Sequence, residues 1–128
     1  MVTREVQRAV AVEDLLSAPD DGIERWLIRG ALRENSRSDC RLRTPDHAGA
    51  LAGIAAALKS WRDCLAEPGG RAYARVWVKL RPDTLMDIDV AYVSAGLRAT
   101  TPKGRKVIDG VPILAVEILS PLGCSRGR

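Results

Sequence analysis

Residues 71–93 read RAYARVWVKLRPDTLMDIDVAYV, and the alternation of their apolar side chains decides the fold. Ala72, Ala74, Val76, Val78 and Leu80 alternate with Tyr73, Arg75, Trp77 and Lys79. That period of two predicts a strand over 71–80. Arg81-Pro82-Asp83-Thr84 has turn chemistry, since proline presets φ and aspartate bonds its own backbone. LMDIDVAYV (85–93) then predicts a second strand, in hairpin-like succession with the first.

Downstream, residues 94–110 are rich in Arg, Lys and Gly and are expected to be a loop. VPILAVEIL (111–119) is almost wholly apolar, the pattern of a central strand buried on both faces. Upstream, Thr44-Pro45-Asp46 predicts a helix start: threonine is a good N-cap, and proline at the first helical position loses no hydrogen bond. Leu51, Ile54, Leu58, Trp61 and Leu65 give that helix one apolar face, and Pro68-Gly69-Gly70 ends it. IERWLIRGALRE (23–34) predicts a strand, a bend at Gly30 and a second short strand. Val12–Ser17 predicts a short helix closed by the turn over 18–22, and residues 35–43 a polar loop. This order predicts an α+β (or α/β) fold, a mixed sheet with a long helix packed on it.

The 128 residues suit a single domain over 1–128. No stretch reaches the roughly 18 apolar residues of a membrane span, and no signal peptide opens the chain, so a cytoplasmic protein without membrane attachment is expected. Cys40, Cys64 and Cys124 are odd in number and widely spaced, the pattern of reduced thiols rather than a disulfide framework. The net charge of +4 leans toward an anionic partner. Arg37, Arg41, Arg43, Arg98, Lys103, Arg105 and Lys106 are either solvated loop charges or phosphate contacts.

Chemistry concentrates in the acidic residues. Asp87 and Asp89 lie two apart on one strand and so share a face. Glu117 lies within the apolar run, where an ionised, dry carboxylate costs several kcal/mol unless something compensates it. The compensation is either an arginine or a hard divalent cation, which prefers carboxylate oxygens. An aspartate on one strand and Glu117 on its neighbour, with the Ile118 carbonyl beside it, can hold such an ion.

RPDTLMDIDVAYVSA (81–95) and VIDGVPILAVEILSP (107–121) together resemble the Uma family of restriction-endonuclease-like proteins, a branch of the PD-(D/E)xK nucleases. RWLIRGALRE (25–34) looks like that family's opening hairpin, and His47 like its histidine at the head of the long helix. The similarity spans residues 12–121. It implies Asp89 and Glu117 as catalytic metal ligands with the Ile118 carbonyl, Mg2+ or Mn2+ as the cofactor, DNA as the substrate, and a homodimer. Asp87 is either an auxiliary acid or a salt-bridge partner. His47 is either an auxiliary site residue or a helix-start histidine bonded to nearby backbone. Ser120 is read as a cap after the strand.

The chain also departs from the family. The superfamily lysine two residues after the acid is Leu119 here, and the family's later lysine-bearing helix and final strand are not found in SPLGCSRGR (120–128). The expectation is a frameshifted or prematurely ended gene, and a relative that is either an active nuclease, a catalytically dead nucleic-acid-binding remnant, or a structural protein whose acids pair with arginines.

Overall fold

The computed structural model describes residues 11–19, 21, 24–35, 44–66 and 69–119. In chain order these form α1 (Val12–Leu16), β1 (Glu24–Ile28), β2 (Ala31–Asn35), α2 (Pro45–Asp63), β3 (Arg71–Arg81), β4 (Thr84–Val93), α3 (Ala95–Thr100), β5 (Val107–Asp109) and β6 (Leu114–Val116). The fold is α+β: one mixed sheet of six strands with the long helix α2 packed on β3 and β4. Among the described residues no helix is long and apolar enough to cross a membrane.

The β3–β4 hairpin is the backbone of the sheet. Its antiparallel register runs from Arg71↔Val93 to Lys79↔Leu85, then shifts by one residue so that Arg81 meets Thr84 across Pro82-Asp83. β1 and β2 form a second hairpin, closed by Arg29 and Gly30 at φ 49 and 79. Two consecutive positive φ values are what a two-residue turn between right-twisted strands requires. Arg25 ties this hairpin from the side. It donates to Asp21 at 2.6 and 3.0 Å and to Glu34, its cross-strand neighbour, at 2.9 Å. The bonds to these two carboxylates, Asp21 first, raise the Arg25 pKa further above its ordinary value.

The two hairpins meet end to end. The Gly30 amide donates to the Asp83 carbonyl at 2.8 Å and the Arg29 amide to Thr84 Oγ1 at 3.1 Å. Leu27 pairs with Leu85 in the ladder, and both are 0% exposed. They join Val12, Leu15 and Val107 in one apolar cluster, which is how α1 gains its hold on the sheet. A second cluster gathers Val78, Ile88, Ala91, Val93 and Ile108, with Leu97 of α3 packed against it.

The start of α2 follows the sequence expectation: Thr44 Oγ1 accepts from the His47 amide at 3.2 Å, and Pro45 opens the first turn. The helix ends at Asp63, before the Pro68-Gly69-Gly70 stop, and its apolar face lies half-covered. Trp61 makes an edge-on contact with Tyr92 at 5.3 Å between ring centres, yet remains 52% exposed.

Two expectations need correction. Residues 94–110 are not one loop. Ser94 caps α3 by accepting from the Leu97 amide at 3.1 Å, and β5 pairs in parallel with β3 through Trp77↔Val107 and its neighbours. Nor is 111–119 a central strand buried on both faces. Only Leu114–Val116 pairs, antiparallel to β4, while Val111, Ile113 and Leu119 are 71%, 67% and 76% exposed. The central strand is β4. β3 fills one of its edges, β1 and β6 share the other, and residues 88–93 are all buried. The loop residues 36–43, Cys40, Ser120, Cys124 and the tail to residue 128 lie outside the described residues.

Because Leu27 and Leu85 join the two hairpins with no exposed area, Leu85→Ala is expected to destabilise the fold by about 2–5 kcal/mol. Urea denaturation would read this as a lower midpoint at unchanged slope.

Candidate functional site

Asp89 is 1% exposed, the most deeply buried acid among the described residues, and it stands in the middle of the central strand. One carboxylate oxygen, Oδ2, accepts a hydrogen bond from the Ile118 amide at 2.9 Å. The other, Oδ1, is buried with no hydrogen-bond partner. A buried polar atom left without a partner costs about 1–3 kcal/mol, and more for a charged group. The side chain that needs a reason is therefore Asp89. The apolar run in the sequence assigns that place to Glu117, but Glu117 is exposed and lies one residue beyond β6.

The neighbours of Asp89 come from three elements. His47, 7% exposed in the first turn of α2, brings Nε2 to 3.7 Å from Asp89 Oδ2. That exceeds hydrogen-bond length, and Nε2 has no hydrogen-bond partner of its own. The helix cap positions this imidazole, since the bond from the His47 amide to Thr44 fixes the first turn. The amide of His47 bonds the Thr44 side chain, and its ring lies beside the acid without a hydrogen bond to it.

β6 supplies the second neighbour. Its register pairs Val90 with Val116 and Ala91 with Ala115. Continued by one residue, the same register sets Glu117 opposite Asp89. Ile118 meets Asp89 through its amide, whereas the expected metal ligand is its carbonyl.

The third neighbour, β3, is irregular at this point. The ladder pairs Ala74 with Val90 and Val76 with Ile88, and skips Arg75 and Asp89 between them. Arg75 has φ 55 in the middle of a strand, and its Nη2 donates to Asp87 Oδ2 at 3.1 Å. Asp87 is thus a salt-bridge partner, the second of the two roles left open for it. Nothing in the sequence marks Arg75, because a left-handed backbone at a non-glycine residue has no compositional signature.

Among the described residues, no three His, Cys, Asp or Glu side chains are grouped to hold a metal ion. Asp89 nevertheless fits a cation in one respect. It offers a buried, unpartnered carboxylate oxygen, and magnesium is commonly held by only one or two carboxylates with water completing its shell.

With no cation supplied, the charge on Asp89 is a liability to the fold. Asp89→Asn keeps an acceptor for the Ile118 amide and removes the buried charge. It is expected to raise stability in EDTA by about 1–3 kcal/mol, visible as a higher melting temperature. A fall would show that the carboxylate is satisfied within the fold. Comparison with protein-family models, with curated proteins and with solved structures finds no match to this chain, so its functional reading rests on these residues.

Proposed function

We propose that the chain is a metal-dependent endonuclease of the PD-(D/E)xK type, acting on DNA in the cytoplasm, with Asp89 and Glu117 as the carboxylates that take Mg2+ or Mn2+. The observation that carries this reading is the buried, unpartnered Asp89 Oδ1 in the central strand. The resemblance of 81–95 and 107–121 to the Uma family agrees with it, and so does the basic balance of the chain, +4 over 128 residues.

When bound, the divalent ion would lower the pKa of a water and neutralise charge on the phosphodiester. The chain's own part is to hold and orient. Asp89 is fixed by the Ile118 amide, so its free oxygen keeps one direction. Glu117 follows β6 toward the same point of β4. His47, with Nε2 lacking a partner beside Asp89, is placed to donate to that carboxylate or to hold a proton near it. In the hydrolysis, a water oxygen bonds to phosphorus as one of its protons passes to solvent, and the bond to one ester oxygen breaks. The departing oxygen takes a proton from solvent. Exposed cations on the 103–106 turn, Lys103, Arg105 and Lys106, can meet the flanking phosphates.

A second reading is favoured by one observation: Leu119 stands where the superfamily has a lysine, and it is 76% exposed. In that reading the fold is a catalytically dead remnant that still binds nucleic acid. The homodimer implied by the resemblance would meet through the apolar strip of Val111, Ile113, Leu114 and Leu119, all exposed.

Supercoiled plasmid nicking with Mg2+ discriminates these readings. An active nuclease is expected to nick, and Asp89→Ala and Glu117→Ala are each expected to reduce the rate by at least about 10²-fold. Mg2+ at a hundred times its Kd should also stabilise the wild type by about 2.7 kcal/mol and leave the Asp89→Ala variant unmoved. DNA binding with no nicking would support the remnant. Absence of binding, nicking and stabilisation alike would leave Asp89 a structural acid.

A further inference from the structure

Between α1 and the sheet, the packed side chains leave a space unfilled. Val12 and Leu16 of α1 and Val107 of β5 line a half-open cavity of about 290 Å3. Val12 and Val107 belong to the buried cluster around Leu85, and Leu16 packs against it, so this wall is fixed by the core. The rest of the lining is charged. Lys79 of β3, with Arg105 and Lys106 from the stretch ahead of β5, lines the same cavity.

Backbone bonds hold the basic part of the wall in place. The Arg105 amide donates to the Pro102 carbonyl at 3.3 Å, and Gly104 within that turn takes φ 82. A type II turn needs such a positive φ at its third residue, which glycine adopts without strain. Val107, Ile108 and Asp109 then pair in parallel with Trp77, Val78 and Lys79, and the Gly110 amide donates to the Lys79 carbonyl at 3.0 Å. Arg105 and Lys106 therefore run between a closed turn and a paired strand.

The fold does not use up these charges. Only 22% of the Lys79 side chain is exposed, yet its Nζ stands 3.9 Å from Asp109 Oδ2, beyond hydrogen-bond length. A lysine covered to this extent ordinarily has a firm partner. Arg105 and Lys106 are exposed and have no ion pair among the described residues. Asp109 and Glu13 are the acids of the lining, so its cations outnumber its acids. An apolar wall joined by a few polar groups is the make-up of a small-molecule site, and the volume lies at the lower end of the roughly 300–1,000 Å3 usual for one. A phosphate monoester carries about −1.5 to −2 charges at pH 7, where a carboxylate carries one. It is the anion that calls for several cations around one small cavity.

We propose that this cavity binds a phosphate monoester of about mononucleotide size, with the phosphate on Lys79, Arg105 and Lys106 and the body of the molecule on Val12, Leu16 and Val107. Lys79 pairs with Leu85, which lies about 13 Å along β4 from Asp89, so the site is separate from the carboxylate and does not rest on the nuclease reading. A free small molecule and the 5′-phosphorylated end of a nucleic-acid strand present the same group to it.

Amide NMR titrations of the full chain in EDTA test the site. Adenosine 5′-monophosphate is expected to shift the amides of residues 12–16 and 104–109 saturably, with a Kd below about 1 mM, and adenosine to leave them unmoved. Lys79→Met keeps the covered stem and removes the charge. It and Arg105→Gln are each expected to weaken binding by at least about tenfold. Glu13→Gln removes an acid that opposes the phosphate and is expected to tighten binding about twofold to fivefold. A short DNA strand that binds more tightly with a 5′-phosphate than with a 5′-hydroxyl, and more tightly than the mononucleotide, assigns the site to strand ends. Equal binding of the two strands, with the mononucleotide still bound, assigns it to a free ester. No saturable shift from the mononucleotide or the phosphorylated strand overturns the proposal. So does a shift that adenosine reproduces, that Lys79→Met and Arg105→Gln leave unchanged, or that weakens with Glu13→Gln. Plasmid nicking with Mg2+ is a separate readout, so the loss of either reading leaves the other standing.

Discussion

One strand carries the rest of the molecule. β4 is bonded along its length to β3, and its other edge is divided between β1 at one end and β6 at the other. α1 reaches the sheet through Leu85 and its cluster, and α2 reaches it through Tyr92 and Asp89. Every described element is therefore positioned by residues 84–93 or by the strand paired with them. A strand used this way must be apolar on both faces, and from Ile88 to Val93 only Asp89 breaks that rule.

The exception draws the surrounding structure around it. Asp89 is the one place along residues 84–93 where the ladder to β3 is skipped and the ladder to β6 has just ended. On the β6 side its own carboxylate takes over from the backbone by accepting the Ile118 amide. A side chain standing in for a strand carbonyl pulls residues 117 and 118 against β4 after regular pairing has stopped. That bond holds Ile118, two residues past β6, at the level of the buried acid.

Much of this was legible in the sequence, and what failed did so for definable reasons. Residues 71–93 declare a hairpin because the period of two is strict and the Pro82-Asp83 turn is local chemistry. Thr44-Pro45 declares a helix start for the same reason, and the Thr44–His47 bond is the cap those residues predict. The run 111–119 misled because apolarity records what a side chain tolerates, not how many neighbours it will receive. Burial on both faces needs packed layers above and below the strand, and the described helices pack on β1, β3 and β4. The charged, glycine-bearing stretch 94–110 hid α3 and β5, since a six-residue helix and a three-residue strand are too short to show a period. Asp89 and Glu117 come to one level of neighbouring chain segments, but the burial expected of Glu117 belongs to Asp89. Burial is a property of the sheet's final order, which the run of apolar letters does not contain.

The same limit hid Arg75. In the sequence it is one cation in an alternating strand, on the face it would be expected to share with Tyr73 and Trp77. Only the backbone tells it apart, by a φ that costs free energy and a ladder that passes it by. Its cost and the cost of burying Asp89 fall at the same level of the hairpin, on facing residues. Packing accounts for the first of them: Tyr73 with Val76, and Ile88 with Ala91, lie on one apolar cluster although the members of each pair are three residues apart, so the strand pair changes face at this position and the left-handed residue is where it turns.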